Sequence, residues 1–135
     1  MRNSLKAFAL LLCAGAVHAD NITDSDKLLC SASEVAACVE GAECVTTMPW
    51  EMNVPQFVVI DLKKKTISTT KASGENRSTP IKTLLRDDVA IHLQGIEANR
   101  AFSFTIEKLS GILTVAVSVD GLTLSVFGAC TDADI

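Results

Sequence analysis

Phe102-Ser103-Phe104-Thr105-Ile106, Glu107-Lys108-Leu109-Ser110-Gly111, Leu113-Thr114-Val115-Ala116-Val117-Ser118-Val119, Asp120-Gly121 and Leu122-Thr123-Leu124-Ser125-Val126-Phe127 follow one another almost without a break, and this run decides the fold. Large apolar side chains fall on every second residue, with small or polar ones between them. A period of two puts the apolar set on one face of a β-strand, whereas a helix needs a period of 3.6. Gly111 and the Asp120-Gly121 pair supply the chain reversals. The run predicts three antiparallel strands joined by tight turns, each burying one face.

The same grammar extends towards the N-terminus. Val89, Ile91 and Leu93 alternate with Ala90, His92 and Gln94, and Gly95 to Arg100 turn the chain. Ile81 to Leu85 form another run, stopped by Arg86-Asp87-Asp88, and Ala72 to Arg77 form a polar loop. Phe57-Val58-Val59-Ile60 and Thr66-Ile67-Ser68-Thr69-Thr70 flank Asp61-Leu62-Lys63-Lys64-Lys65. About seven strands therefore lie beyond residue 54. No helix-length crossover separates them, so a parallel sheet is not expected. The expected fold is all-β, an antiparallel up-and-down meander of about 7–8 strands. A small barrel or a strongly curved sheet is the form that hides its edges.

Asp24 to Val39 reads two ways. Ser25 as a cap, Leu28, Leu29, Ala32, Val35, Ala36 and Val39 near helical spacing, and Gly41 as a stop describe a helix. Cys30 and Cys38 stand an even number of residues apart, which puts both on one face of a strand. The strand is the preferred reading.

The first 19 residues read as an address. Met1 to Lys6 is short and basic, Ala7 to Val17 is apolar but too short to span a bilayer, and Val17-His18-Ala19 offers a cleavage site before Asp20. Residues 1–19 are thus expected to be a cleaved secretory signal peptide, and 20–135 a single β domain. Lipoprotein processing at Cys13 is the rival, although Leu12 stands where such signals prefer a small residue. Cleavage removes Arg2 and Lys6 and no acidic residue, so the product is more acidic than the −4 of the full chain. That balance gives no basic footprint for nucleic acid, and no second segment approaches membrane-spanning length. The expected location is periplasmic or extracellular.

Four cysteines then remain, Cys30, Cys38, Cys44 and Cys130. An even count in a small exported domain implies two disulfides, with three pairings open. Cys38–Cys44 across Gly41, with Cys30–Cys130 tying the first element to the last, is the favoured set. The spacings do not fit a zinc site, and no C-x-x-C redox pair occurs.

Catalytic chemistry is sparse. His92 is the only histidine beyond the signal, and its alternation with Ile91 and Leu93 aims it away from their face. Asp87-Asp88 reads as a turn, and Lys63-Lys64-Lys65 as a solvated hairpin tip. Asn21-Ile22-Thr23 and Asn76-Arg77-Ser78 match the glycosylation sequon, but the short signal is of a bacterial kind and both are read as chance. Neither cofactor nor metal is expected, and no phosphate loop, zincin helix or nucleophile elbow occurs. Trp50, the sole tryptophan, lies in the proline-bracketed loop Met48-Pro49-Trp50-Glu51-Met52-Asn53-Val54-Pro55. It either folds down as a plug over one end of the sheet or stands out as a partner contact.

The cluster Cys30…Cys38…Cys44, the strand Pro55-Gln56-Phe57-Val58-Val59-Ile60-Asp61, Pro80-Ile81, Leu93-Gln94-Gly95 and the ending Phe127-Gly128-Ala129-Cys130-Thr131 carry a resemblance. On these residues the chain resembles a family of small, exported, uncharacterised bacterial β-proteins, which implies compartment and strand order only. A looser architectural likeness is to the periplasmic inhibitors of C-type lysozyme, small disulfide-tied antiparallel barrels, and no residues carry over from it. The expected function is a non-catalytic exported binding or interaction module, touching a protein or envelope component through loops at one end of a β scaffold, with Trp50 prominent. The alternative is a carrier of a small apolar ligand in a barrel interior, or a lysozyme-inhibitor-like protein. An enzyme is not expected.

Overall fold

The computed structural model describes residues 20–133, so the expected signal and Cys13 lie outside the described residues. Ten strands follow in order: β1 (Lys27–Val39), β2 (Val45–Thr47), β3 (Phe57–Asp61), β4 (Thr66–Thr69), β5 (Ser78–Pro80), β6 (Thr83–Arg86), β7 (Ala90–Glu97), β8 (Arg100–Glu107), β9 (Ile112–Val119) and β10 (Leu122–Asp132). All pair antiparallel in one sheet of order β5-β4-β3-β1-β10-β9-β8-β7-β6, with β2 added beside β1. The fold is the all-β, disulfide-tied meander expected from the alternation, with a few more strands than the sequence revealed.

The sheet curls into a half-barrel, and the chain itself bridges its outer strands. Only Ile81 and Lys82 separate β5 from β6. The Ile81 amide donates to the Lys65 carbonyl beside β4, and the Lys82 amide donates to the Gln94 carbonyl of β7, each at 2.8 Å. One extended segment thus leaves its first partner and joins another on the far side of the sheet. The sequence reading merged this jog into a single run from Ile81 and missed β5, because a change of partner has no local signature.

Apolar residues of alternating positions meet inside the curl. Leu28, Ile60, Ile91, Leu93, Ile106 and Val35 are essentially inaccessible. Ile22 is wholly buried as well; its amide donates to the Lys108 carbonyl, so the segment before β1 folds under the end of the sheet that holds the β3–β4 and β8–β9 turns. Phe102 packs edge-on to Phe104, with ring centroids 5.3 Å apart. Its register partner is Gly95, where a Cβ would come within 2.6 Å of the Phe102 ring.

β1 is one strand, yet the argument from Cys30 and Cys38 fails. The register between β1 and β10 shifts between Ala32 and Glu34, a β-bulge. Leu28 and Cys30 face the core before it, Val35 and Ala37 after it, so the extra residue turns Cys38 to the face opposite Cys30. Gly128 makes the bulge fit: a Cβ there would overlap the carbonyl oxygen of Ser31.

Cys30 bonds Cys130, and Cys38 bonds Cys44. The first pair is buried between register partners of β1 and β10; the second clips the β1–β2 hairpin. They span 100 and 6 residues of chain. In the chain-entropy model these loops contribute ~4–5 and ~2–2.5 kcal/mol. Replacing Cys30 and Cys130 together by Ala is expected to lower the urea midpoint about twice as far as replacing Cys38 and Cys44. Equal losses would contradict that ranking.

Candidate functional site

The wall of the half-barrel is uneven. β7, β8 and β9 each have eight residues, whereas β3 has five and β4 four. On the low side, at the end opposite the lysine turn, the segment Met48–Gln56 crosses the opening. It enters as a 3-10 turn at Pro49–Met52 and returns through Asn53 in the left-handed region, φ 54°. The Ala32 amide, at the β1 bulge, donates to the Gln56 carbonyl and ties its end to the sheet.

Several side chains hold this loop. Glu51 accepts from the Thr47 hydroxyl and, at 3.0 Å, from the Met48 amide. These bonds stabilise the ionised form and hold the Glu51 carboxyl below its usual value, the Thr47 hydroxyl contributing most. Arg100 donates to the Met52 and Asn53 carbonyls, both at 3.3 Å. Arg77 reaches the Asn53 carbonyl at 3.4 Å and pairs with Glu97 through Nε and Nη2, at 2.8 and 2.7 Å.

Glu97 and Arg100 stand opposite each other because a two-residue turn joins β7 to β8. Both its central residues, Ala98 at φ 49° and Asn99 at φ 63°, lie in the left-handed region, the form that suits the twist of a hairpin. Asn tolerates that conformation; Ala is strained in it.

Beneath the loop is a cavity of about 90 Å³. Phe102, Phe104, Val115, Val117 and Val126 line its depth, and Arg77, Glu97 and Arg100 its rim. Sequence reasoning singled out none of these charged residues. Their only signal was that Glu97 and Arg100 flank a turn. A second, shallower concavity of about 580 Å³ lies on the outer face of β7–β10 among small side chains such as Ser103, Ala116 and Ser125.

The residues named from sequence are scattered. Trp50 does not plug the opening: it is 71% exposed, while its neighbour Pro49 is buried. Met48 and, on the adjoining hairpin, Val39 and Val45 are also exposed. His92 faces outward, opposite Ile91 and Leu93. Its Nδ1 lies 3.2 Å from the Thr105 hydroxyl and its Nε2 3.3 Å from Asp87 Oδ2. That hydroxyl–imidazole–carboxylate series lies outside the lining of both concavities. Asp87 principally caps its own turn, accepting from the Val89 and Ala90 amides at 2.8 Å, and these bonds lower its pKa, the Ala90 amide most. Lys63 and Lys64 amides bond Asp61 at the hairpin tip, and Lys63 Nζ reaches Asp26 at 3.2 Å. Among the described residues no cluster of metal-ligating side chains forms, and no helix is long and apolar enough to cross a membrane.

Comparison with protein-family models, curated proteins and solved structures finds no match to any of them.

Two measurements test how the site is held. Exchanging Ala98 for Gly relieves the left-handed strain and is expected to raise stability by about 0.5–1 kcal/mol in urea unfolding; a loss would mean the turn is not strained. The folded pKa of Glu51 is below its usual 4.5, so its hold on the loop is complete above that value and is lost as pH falls through the folded one. Fluorescence anisotropy of the single tryptophan should therefore drop in acid, and E51Q, whose amide oxygen still accepts both bonds but does not titrate, should lose that acid step. An unchanged acid step in E51Q would remove Glu51 from this role.

Proposed function

We propose that this protein is a non-catalytic exported binding module whose contact surface is the Trp50 loop. The carrying observation is an indole 71% exposed on a backbone fixed by Arg77, Arg100 and Glu51. Tryptophan is enriched among residues that dominate interface energies. A loop already held in place loses less freedom on binding, so more of the contact energy becomes affinity. Met48 in the same loop, and Val45 and Val39 on the adjoining hairpin, are exposed as well. Two disulfides accord with a periplasmic or extracellular location. The partner is a protein or envelope component, and a C-type lysozyme is the case that the architectural likeness raises.

A photo-crosslinking residue in place of Trp50, introduced in the producing cell, should give a discrete adduct. The same residue in place of Lys64, at the opposite end, should not. Purified W50A should then bind the identified partner about tenfold or more weakly, with an unchanged melting temperature. Equal adducts from both ends would remove the loop as the contact surface.

A second reading, a carrier of a small ligand, is favoured by the apolar cavity beneath the loop. Its size sets the limit: an apolar cavity of about 150 Å³ accommodates benzene, and this one is smaller.

A further inference from the structure

The cavity is apolar in depth and charged only at its rim. The rim carries two guanidinium groups and one carboxylate. Arg77 takes that carboxylate, placing both Nε and Nη2 on the same Glu97 oxygen. Arg100 makes no ion pair among the described residues. Its bonds go to two backbone carbonyls, one from Nη1 and one from Nη2. Guanidinium carries five N–H donors, so donors remain unspent at the mouth of an apolar space. A neutral ligand would leave this cation with only backbone carbonyls as direct partners. An anion would complete it with a charge-assisted bond.

We infer that the cavity binds a short aliphatic carboxylate, with its chain against Phe102, Phe104, Val115 and Val117 and its carboxylate on Arg100. This rests on the carrier reading and adds the sign of the headgroup and the length of the chain. The volume of about 90 Å³, set against the about 150 Å³ that hold the six carbons of benzene, allows a ligand of about four carbons, the carboxyl carbon included. The carboxyl group then sits at the rim, where the wall is low and Val54-Pro55 cover the opening.

The test is a methyl NMR titration of the full, oxidised protein with butanoate and, separately, with 1-butanol, which has the same chain and no charge. Butanoate should shift the Val115 and Val117 methyls and bind about tenfold more tightly than butanol at low salt. That advantage should shrink as salt is added, because the rim is partly exposed. R100Q should bind the two ligands about equally, and R100K should keep part of the preference for butanoate. Equal affinities for the two ligands in the wild type would overturn the headgroup assignment and leave the carrier reading standing. Failure of both ligands to shift the cavity methyls would overturn both readings. If R100Q does not fold, the wild-type comparison across salt concentrations decides alone. Unchanged butanoate binding in a folded R100Q would remove Arg100 as the seat.

Discussion

The pairing of β1 with β10 is the constraint on which the other elements depend. It joins the first strand to the last along Leu28 to Val39, and Cys30–Cys130 locks it covalently between register partners. With those strands side by side, the meander from β3 to β10 must bend round on itself. The bend sends its apolar faces inward, and Ile81-Lys82 carry the chain across the remaining gap. The bulge at Ala32–Glu34 belongs to the same constraint. It lets one strand serve β3 at its start and β2 at its end while both halves keep apolar residues on the core side. The space at Gly128 is the local cost, since only a residue without a side chain admits the Ser31 carbonyl.

The uneven wall turns this frame into a site. Long strands on one side continue past the short ones, and the apolar faces of Phe102 and Val117 would otherwise lie open there. The Trp50 loop covers them, and the side chains that hold the cover come from the strands themselves or their ends: Arg77 before β5, Arg100 at the start of β8, and Thr47 in β2. Cover and cavity are consequently one device. Arg77 and Arg100 belong to both, lining the cavity and bonding the loop that carries Trp50.

Strand order was legible because period-two alternation is local. Phe102 to Ile106 and Leu113 to Val119 need no knowledge of their neighbours to be read, and the turns between them carry their own glycines. Features that depend on a distant partner were illegible. The even spacing of Cys30 and Cys38 misled because a bulge adds one residue, and only the approach of Gly128 reveals it. The break between β5 and β6 is a change of partner, and Pro80-Ile81-Lys82 looks the same either way. The rim unites Arg77, Glu97 and Arg100 with backbone at Met52 and Asn53, which only the curl of the sheet brings together. For Trp50, composition offered burial or exposure, and the anchored 3-10 turn decided for exposure.

The order of the cysteines has a consequence for the making of the protein. In a chain made N-terminus first, the thiol of Cys30 meets Cys38 and Cys44 long before Cys130 exists in the same space. A bond between neighbours costs little loop entropy and forms early, but any early bond to Cys30 withholds it from the far strand. The native set is reached only if Cys30 stays reduced until the last strand arrives, or if a wrong bond is exchanged by a free thiolate. Formation of the native pairs therefore depends on thiol–disulfide exchange as much as on the sequence itself.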